Sequence, residues 1–117
     1  MNEIVTDKPF RLSEDTTRTR WFKDGELHRE DGPAVEWSDG GEEWYLNGQR
    51  HRTDGPAVIF TDGTKSWWLN GNRHRDDGPA VIFADGSKEW WLNDKEYTEK
   101  KYNKLMSQAV AKQLDAK

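Results

Sequence analysis

The sequence predicts a mainly β fold, in which tandem β-hairpin repeats form an elongated antiparallel meander sheet with a C-terminal capping α-helix. The first observation is a 23-residue period that places a tryptophan at the same point of four successive units. The second is a set of turn dipeptides in phase with that period. The third is a change to helical spacing near the C-terminus. Self-similarity at such a period is typical of a stacked array rather than of one irregular core.

The repeat is clearest in the middle of the chain. One copy runs from Trp44 to Gly63, and the next runs almost unchanged from Trp67 to Gly86. A looser copy spans Trp21 to Gly40. A fourth begins at Trp90 and then departs, with Asp94 where the other copies have glycine. Repeat proteins bury their apolar surface between neighbouring units, so we expect each copy to pack against the next.

Composition limits the depth of any core. Only 32% of the 117 residues are apolar and 34% are charged, although seven tryptophans offset part of that shortage. We divide this single domain into an N-terminal extension or edge strand over 1–15, an array over 16–97 with three full repeats and a partial fourth, and a capping helix over 98–117. A thin repeat array fits this composition better than a deep globular core.

Charge and residue usage exclude several classes of function. The net charge of −4 argues against nucleic acid and anionic membrane as general partners. The chain has no cysteine, which excludes disulfides and thiolate metal sites. The start of the sequence lacks the pattern of a secretion signal, and no stretch approaches the roughly 20 apolar residues of a membrane span. We therefore expect a cytoplasmic protein with no membrane partner.

Turn chemistry sets the elements within each unit. Asp-Gly and Asn-Gly are favoured in two-residue hairpin turns, where both central residues need positive φ. We expect such turns at Asp24-Gly25, Asp39-Gly40, Asn47-Gly48, Asp62-Gly63, Asn70-Gly71 and Asp85-Gly86. The representative unit then has strands at 57–61, 64–69 and 72–75. Asp77-Gly78-Pro79 ends its ladder, because proline has no N–H to donate.

The register of these turns predicts the two faces of the sheet. A two-residue turn at Asp62-Gly63 would set Val58 opposite Trp67 and Phe60 opposite Lys65. One face then carries Val58, Phe60, Trp67 and Leu69, and we expect it to be buried. The other face carries Ala57, Ile59 and Trp68. On this assignment, Trp67→Ala should destabilise the fold more than Trp68→Ala.

The C-terminal segment predicts a helix that covers the open end of the array. Thr98 is a suitable N-cap and Glu99 suits the first turn. We expect this helix to dock near Trp90 and Leu92 of the last repeat. The apolar residues at helical spacing that would make the contact are Tyr102, Leu105, Met106, Ala109 and Leu114.

Residues that recur in every unit are predicted to maintain the unit. Histidines one repeat apart should be separated by roughly 10 Å or more, so they cannot share one zinc ion with ligands at about 2.0–2.1 Å. An aspartate before Gly-Pro commonly accepts turn N–H groups, and the preceding arginine can lie across it; an anion-binding ladder is the alternative. The structural set is Trp44, Trp67, Trp90, His51, His74, Asp54 and Asp77. No metal site and no cofactor are predicted.

Arginines paired with aromatic rings are the candidate binding residues. The Asn-Gly hairpins set Arg50 opposite Tyr45 and Arg73 opposite Trp68, where cation–π stacking is available. This set could bind another protein, hold a nucleotide between rings, or only stabilise the surface. The candidate binding residues are Tyr45, Arg50, Trp68, Arg73 and Trp91. No nucleophile–base pair and no phosphate-binding loop is present, so we do not expect an enzyme.

The 23-residue spacing, the turn at Asn47-Gly48 with His51, and the aromatic residue before it resemble the MORN repeat. MORN units typically have glycine after the histidine, whereas Arg52 and Arg75 stand there in this chain. The whole pattern His-Arg-x-Asp-Gly-Pro-Ala resembles a divergent MORN-like class of phage and bacterial proteins. That resemblance covers 21–97, and it implies hairpins stacked into a twisted sheet that usually binds proteins and sometimes lipids.

The expected function is therefore that of a non-enzymatic protein-binding repeat protein. If the phage association holds, the partner is a host protein that is inhibited or redirected in the host cytoplasm. The first alternative is a small-ligand or nucleotide binder that uses the arginine–aromatic residues, whereas nucleic acid is disfavoured by the net charge. The second is a structural protein that self-assembles through a sheet edge, because an open edge can pair with its own copy.

Overall fold

A computed structural model of the chain describes residues 1–9 and 15–115, with side chains described up to Lys112. The predicted fold class is confirmed: the protein is mainly β, with an antiparallel meander of hairpins and a C-terminal helix. The molecule is elongated and thin, measuring 53 × 36 × 19 Å. These dimensions leave room for only a shallow core.

Short strands make up most of the fold. The longer strands lie at the two ends of the array, and most strands between them have two residues. The strands are β1 Asn2–Asp7, β2 Arg18–Lys23, β3 Glu26–Leu27, β4 Val35–Trp37, β5 Glu42–Glu43, β6 Tyr45–Leu46, β7 Gln49–Arg50, β8 Val58–Ile59, β9 Lys65–Ser66, β10 Trp68–Leu69, β11 Asn72–Arg73, β12 Val81–Ile82, β13 Lys88–Leu92 and β14 Lys95–Tyr97, followed by helix α1 Glu99–Asp115.

Ten strands of the described residues form one antiparallel sheet. Its order is β1-β2-β4-β5-β8-β9-β12-β13-β14, with β3 paired to β2. The pairs β6–β7 and β10–β11 form two smaller hairpins beside it. Strand β1 is the edge strand expected from the N-terminal extension, while residues 10–14 of that extension lie outside the described residues.

The chain changes partners in the middle of the expected strand over 64–69. Residues Lys65 and Ser66 pair within the main sheet, and Trp68 and Leu69 pair within the small hairpin. Between them, the Trp67 N–H donates to the Ala80 carbonyl, further along the unit that Trp67 begins, at 2.7 Å. The second and third units therefore each contribute to the main sheet and to a separate small hairpin, and the single long strand expected at 64–69 is divided in two.

The Asn-Gly turns form as predicted. Asn47 and Gly48 have φ of 51° and 80°, and Asn70 and Gly71 have φ of 49° and 84°. Positive φ at both positions defines the two-residue turn that matches strand twist. The same geometry persists in the last unit without glycine, since both of its central residues, at positions 93 and 94, have positive φ.

The prediction of a two-residue turn at Asp62-Gly63 is wrong. The Phe60 N–H donates to the Thr64 carbonyl, and the Gly63 N–H donates to the Phe60 carbonyl. This is a three-residue loop with Gly63 in the left-handed conformation at φ 93°, and the Asp62 carboxylate holds it by accepting the Thr64 N–H at 2.8 Å. The same hydrogen bonds recur in the loops at Gly40 and Gly86.

The extra loop residue shifts the register and changes the faces. Val58 pairs with Ser66 rather than Trp67, and Ile59 pairs with Lys65. Val58 and Phe60 therefore line a cleft with Trp68, on the side opposite to the one expected. The expectation that Phe60 is buried is wrong, because 53% of its surface is exposed. A one-residue slip has this effect because side chains alternate across a strand.

The core consists of small side chains at equivalent positions of three units. Ala57 was expected on the less buried face, yet it is fully buried. Trp67 and Trp68 are both half-buried, so burial alone does not separate them. The buried apolar residues are Ala34, Val35, Ala57, Val58, Ala80, Val81 and Tyr102. Tryptophans thus cover a narrow alanine–valine core rather than filling it.

Helix α1 caps the third and fourth units by its first turns. The Thr98 hydroxyl accepts the Lys101 N–H at 3.2 Å, which confirms the expected N-cap. Tyr102 is the anchor, with 3% of its surface exposed. Leu105 and Met106 are half-buried, whereas Ala109, expected to dock, is exposed. Leu114 lies beyond the described side chains, so its expected docking stays a prediction.

Candidate functional site

The five candidate binding residues lie in one alternating column, which we call the arginine–aromatic column. Tyr45 and Trp68 are paired across their hairpins with Arg50 and Arg73, as predicted. Each guanidinium also reaches the ring of the next unit. Arg50 lies 6.0 Å from the Tyr45 ring centre and 5.0 Å from that of Trp68, and Arg73 lies 4.9 Å from the ring centres of both Trp68 and Trp91. The column therefore links three units by cation–π contacts.

Glu43 organises the start of this column. Its carboxylate accepts the Tyr45 hydroxyl at 3.1 Å and the Trp37 indole N–H at 2.9 Å. Arg50 donates through Nε to the Tyr45 oxygen at 3.2 Å and approaches Glu43 at 3.6 Å. Burial raises the pKa of Tyr45, and the nearby Glu43 charge adds to that shift. Tyr45 consequently stays a neutral hydrogen-bond donor at physiological pH.

Arg73 is held differently from Arg50. Its Nε is buried and has no hydrogen-bond partner among the described residues, and its guanidinium forms no ion pair with any of them. Contact with two indole rings takes the place of those bonds. Cation–π contacts of a partly buried guanidinium contribute about 0.5–2 kcal/mol.

Two exposed phenylalanines lie beside the column, and sequence reasoning missed them because it assigned the face that carries Phe60 in one unit, and Phe83 at the equivalent position of the next, to the core. Phe60 and Phe83 are 53% and 37% exposed, and Trp37 occupies the equivalent position of the preceding unit. Between the two phenylalanines lies a cleft of about 240 Å³ above Val58 and Val81. A second cleft, of about 230 Å³, lies between Trp37 and Phe60. Only the length of the Asp-Gly loops could have revealed that Phe60 and Phe83 are exposed, because loop length sets the strand register and so the face on which each side chain lies.

We call this side of the sheet the aromatic face. It comprises the arginine–aromatic column and the row formed by Trp37, Phe60 and Phe83. Exposed apolar patches rimmed by polar groups commonly mark interaction sites in soluble proteins. Aromatic residues and arginine are also the types most enriched in protein interfaces. The arrangement can therefore anchor apolar side chains in its clefts and polar groups along the column.

The opposite side carries the predicted structural residues. The Arg52 guanidinium lies 3.8 Å from the Trp44 ring centre, and Arg75 lies 3.9 Å from that of Trp67. Arg52 donates through Nε to Asp54 at 2.9 Å and through Nη1 to the Pro56 carbonyl at 3.1 Å. A Cβ on Gly55 would approach the Arg52 Cζ to 3.0 Å, so glycine lets the loop close over the stack.

These Trp–Arg stacks were not predicted, although the Arg–Asp contact was. Arg75 repeats the contacts to Asp77 and to the Pro79 carbonyl, both at 3.0 Å. In the last unit Thr98 stands at the arginine position, and Trp90 pairs with Tyr97 across its hairpin instead. The guanidiniums on this side already have acceptors, which favours a structural role over an anion-binding ladder.

The histidines join neighbouring units. His51 Nδ1 accepts the Asn70 N–H at 3.0 Å, and His74 Nδ1 accepts the Asn93 N–H at 2.9 Å. His28 makes the same contact with Asn47 at 2.9 Å. An accepting Nδ1 places the ring proton on Nε2. These bonds support the structural interpretation of His51 and His74.

Asp54 provides a test of the Trp–Arg stack by pH. The hydrogen bond from Arg52, reinforced by its charge, lowers the pKa of Asp54 from its usual 3.8. Ionised Asp54 therefore stabilises the fold above pH 3.8, and this contribution is lost as the pH falls from there toward the folded pKa. We expect Asp54→Asn to be less stable than wild type at pH 7, with a difference that shrinks below pH 3.8. Urea unfolding at pH 7 and pH 3 measures it, and a constant difference would contradict this role.

Within 1–9 and 15–115, no three histidine, cysteine or acidic residues are grouped so that they could hold a metal ion. No helix in these ranges combines the length and apolar character needed to cross a membrane. Larger clefts, of about 580 and 480 Å³, lie beside the Trp21–Arg29 pair and between Arg52 and Arg75. We take the aromatic face as the candidate site because it combines exposed phenylalanines with arginines that contact aromatic rings.

No protein-family model, curated protein or solved structure matches this chain. The function must therefore be inferred from the geometry of the aromatic face and from the sequence.

Proposed function

We propose that this chain is a non-enzymatic protein-binding repeat protein that holds its partner on the aromatic face. The observation that carries the proposal is the exposure of Phe60 and Phe83 above an apolar cleft, next to a column of arginines fixed between rings. Interfaces take most of their binding energy from a few such anchors surrounded by excluded water. The MORN-like resemblance points in the same direction, because such sheets usually bind proteins.

The geometry favours a protein over a nucleotide as the ligand. A base that stacks on the interior of this column would compete with the guanidiniums already lying over Tyr45 and Trp68. Displacing Arg73 would also remove the ring contacts that take the place of a hydrogen bond to its buried Nε. A protein can instead use the clefts beside the column without disturbing it. We place this interaction in the cytoplasm, and in the host cytoplasm if the chain is phage-encoded.

A matched pair of double variants tests the proposal. Phe60→Ser with Phe83→Ser removes two exposed apolar side chains from the aromatic face. Ile4→Ser with Val110→Ser removes two exposed apolar side chains elsewhere, at 63% and 56% exposure. Immobilised wild type and both variants are incubated with bacterial lysate, and captured proteins are identified by mass spectrometry. Affinities are then measured with the purified partner.

We expect the partner to bind wild type and the Ile4–Val110 variant equally, and to bind the Phe60–Phe83 variant at least about tenfold more weakly. Melting temperatures should change little, because the replaced side chains are exposed. Equal binding by the Phe60–Phe83 variant would refute the proposed surface. Loss of binding only in the Ile4–Val110 variant would place the interface at the sheet edge or on the helix.

A further inference from the structure

We infer that the open end of the arginine–aromatic column is a binding slot for an arginine side chain of the partner, on the ring of Trp91 and beside Glu96. This inference rests on the proposed function, since Trp91 belongs to the aromatic face, and it specifies the chemistry of the partner. The chain itself fills the preceding positions of the same column with its own arginines.

The one interior tryptophan of the column, Trp68, has two cations of this chain over its ring. Arg50, from the preceding hairpin, lies 5.0 Å from the ring centre, and Arg73, from the same hairpin, lies 4.9 Å from it. Trp91 has Arg73, from the preceding hairpin, at 4.9 Å from its ring centre, and no other cation of the described residues lies over its ring. The last ring of the column therefore lacks the second cation that Trp68 has.

The residue at the next arginine position is acidic. In the last hairpin, Trp91 pairs with Glu96. The equivalent partner is an arginine in the two preceding hairpins, where Trp68 pairs with Arg73 and Tyr45 pairs with Arg50. Cross-strand partners in an antiparallel pair project to the same face. Glu96 is exposed and forms no ion pair with the described residues. A cation that enters over Trp91 would thus find a carboxylate beside it.

Further features favour a guanidinium from outside the chain. The Trp91 indole N–H donates to Glu89 at 2.9 Å, which adds a second carboxylate near the ring. Strand β14, which carries Glu96, is the last in the order of the main sheet, so a partner can approach it from the side. Arginine fits better than lysine because its planar group stacks on aromatic faces and pairs with carboxylates through two N–H groups.

Short peptides test the slot without knowledge of the partner. The probes are acetylated tetra-arginine amide, tetra-lysine amide and tetra-citrulline amide, since citrulline keeps the shape of arginine without its charge. The readout is the indole N–H resonance of Trp91 in two-dimensional NMR, assigned with a Trp91→Phe variant. We expect tetra-arginine to shift this resonance and to bind roughly fivefold tighter than tetra-citrulline, with tetra-lysine in between.

Variants at position 96 separate the slot from general charge attraction. Glu96→Arg should fill the slot from within the chain, abolish the response of Trp91 to tetra-arginine, and raise the melting temperature. Glu96→Gln should weaken the response, whereas Glu99→Gln, the same charge change three residues later, should leave it unchanged. An unchanged response in Glu96→Arg, or equal binding of tetra-citrulline and tetra-arginine, would overturn the inference.

The outcomes also distinguish this inference from the proposed function. If the Phe60–Phe83 variant no longer binds the partner and tetra-arginine does not shift the Trp91 resonance, the proposed function stands and the slot is rejected. If tetra-arginine shifts the Trp91 resonance but the Phe60–Phe83 variant binds the partner as tightly as wild type, the slot is supported and the proposed interface is rejected. A shift of the Trp91 resonance on concentrating the protein alone would show that a second copy supplies the arginine, and would overturn the assignment to another protein.

Discussion

Replacing Trp67 with alanine is expected to lower the free energy of unfolding by about 3–5 kcal/mol. The substitution removes a large ring and also removes the platform on which Arg75 lies at 3.9 Å. Arg75 in turn holds Asp77 and the Pro79 carbonyl, so the Asp77-Gly78-Pro79 loop within the third unit loses its support. Urea unfolding followed by circular dichroism measures the loss.

Trp68→Ala is the matched comparison, because Trp68 is the adjacent tryptophan and is also half-buried. Its ring lies between two arginines on the aromatic face, and Arg50, which is 37% exposed, can be rehydrated when the ring is lost. We therefore expect Trp68→Ala to lose about half as much stability as Trp67→Ala. Equal unfolding midpoints for the two variants would show that the Trp–Arg stack is not the main support of the loop.

Replacing Tyr102 with alanine is expected to cost about 3–5 kcal/mol and to release helix α1 from the array. Tyr102 is the most buried aromatic side chain of the described residues, and its hydroxyl donates to the Arg75 carbonyl and accepts the Gly78 N–H at 3.2 Å. Burial raises the pKa of Tyr102, so the hydroxyl remains a donor throughout the neutral range. Amide hydrogen exchange of the helix and thermal unfolding follow the two effects.

Two variants give this experiment its controls. Tyr102→Phe keeps the ring and removes the hydroxyl, so it should cost about 1–3 kcal/mol by leaving the Gly78 N–H without its acceptor. Val110→Ala removes an apolar side chain from the exposed part of the same helix and should change stability little. If Tyr102→Ala melts at the wild-type temperature with protected helix amides, the helix is not held by this residue.

Truncation of the helix carries a related expectation. Ending the chain at Glu96 would remove Tyr102 together with the N-cap Thr98, and it would uncover the loop that Tyr102 contacts. The end of the array should then self-associate, because uncapped repeat ends and sheet edges pair readily. Sedimentation of the truncated chain tests this, and a monomer with unchanged melting would show that the helix is free to bind other molecules.

The sequence by itself determined the fold class and several local features. Period and turn chemistry predicted the antiparallel hairpins, because Asn-Gly at 47–48 and 70–71 fits the turn with positive φ at both positions. Cross-strand pairing of Arg50 with Tyr45 and of Arg73 with Trp68 followed from those turns. The N-cap at Thr98 was predicted from residue type and position. All these features depend on contacts within a few residues of one another.

Three of the four predicted Asp-Gly turns, at 39–40, 62–63 and 85–86, show where sequence reasoning reached its limit, whereas Asp24-Gly25 forms the predicted two-residue turn. Asp-Gly fits both a two-residue turn and a three-residue loop with a left-handed glycine. In the longer loop, the Thr64 N–H donates to the Asp62 carboxylate. The one extra loop residue shifts the pairing of strand 58–59 with strand 65–66, so the side chains of Val58 and Phe60 lie on the opposite face from the one predicted. Phe60 was thus assigned to the core, although it forms part of the aromatic face.

Only the tertiary structure decided how neighbouring units meet. Arg73 lies between rings of two units, and His51 accepts an N–H from the following unit, at distances set by the packing of one hairpin on the next. A period in the sequence states that units repeat, but it does not fix their separation or rotation. The buried alanines at 34, 57 and 80 allow the close approach that brings these side chains into contact. The pattern of residues therefore determined the unit, and the packing between units determined the surface it offers.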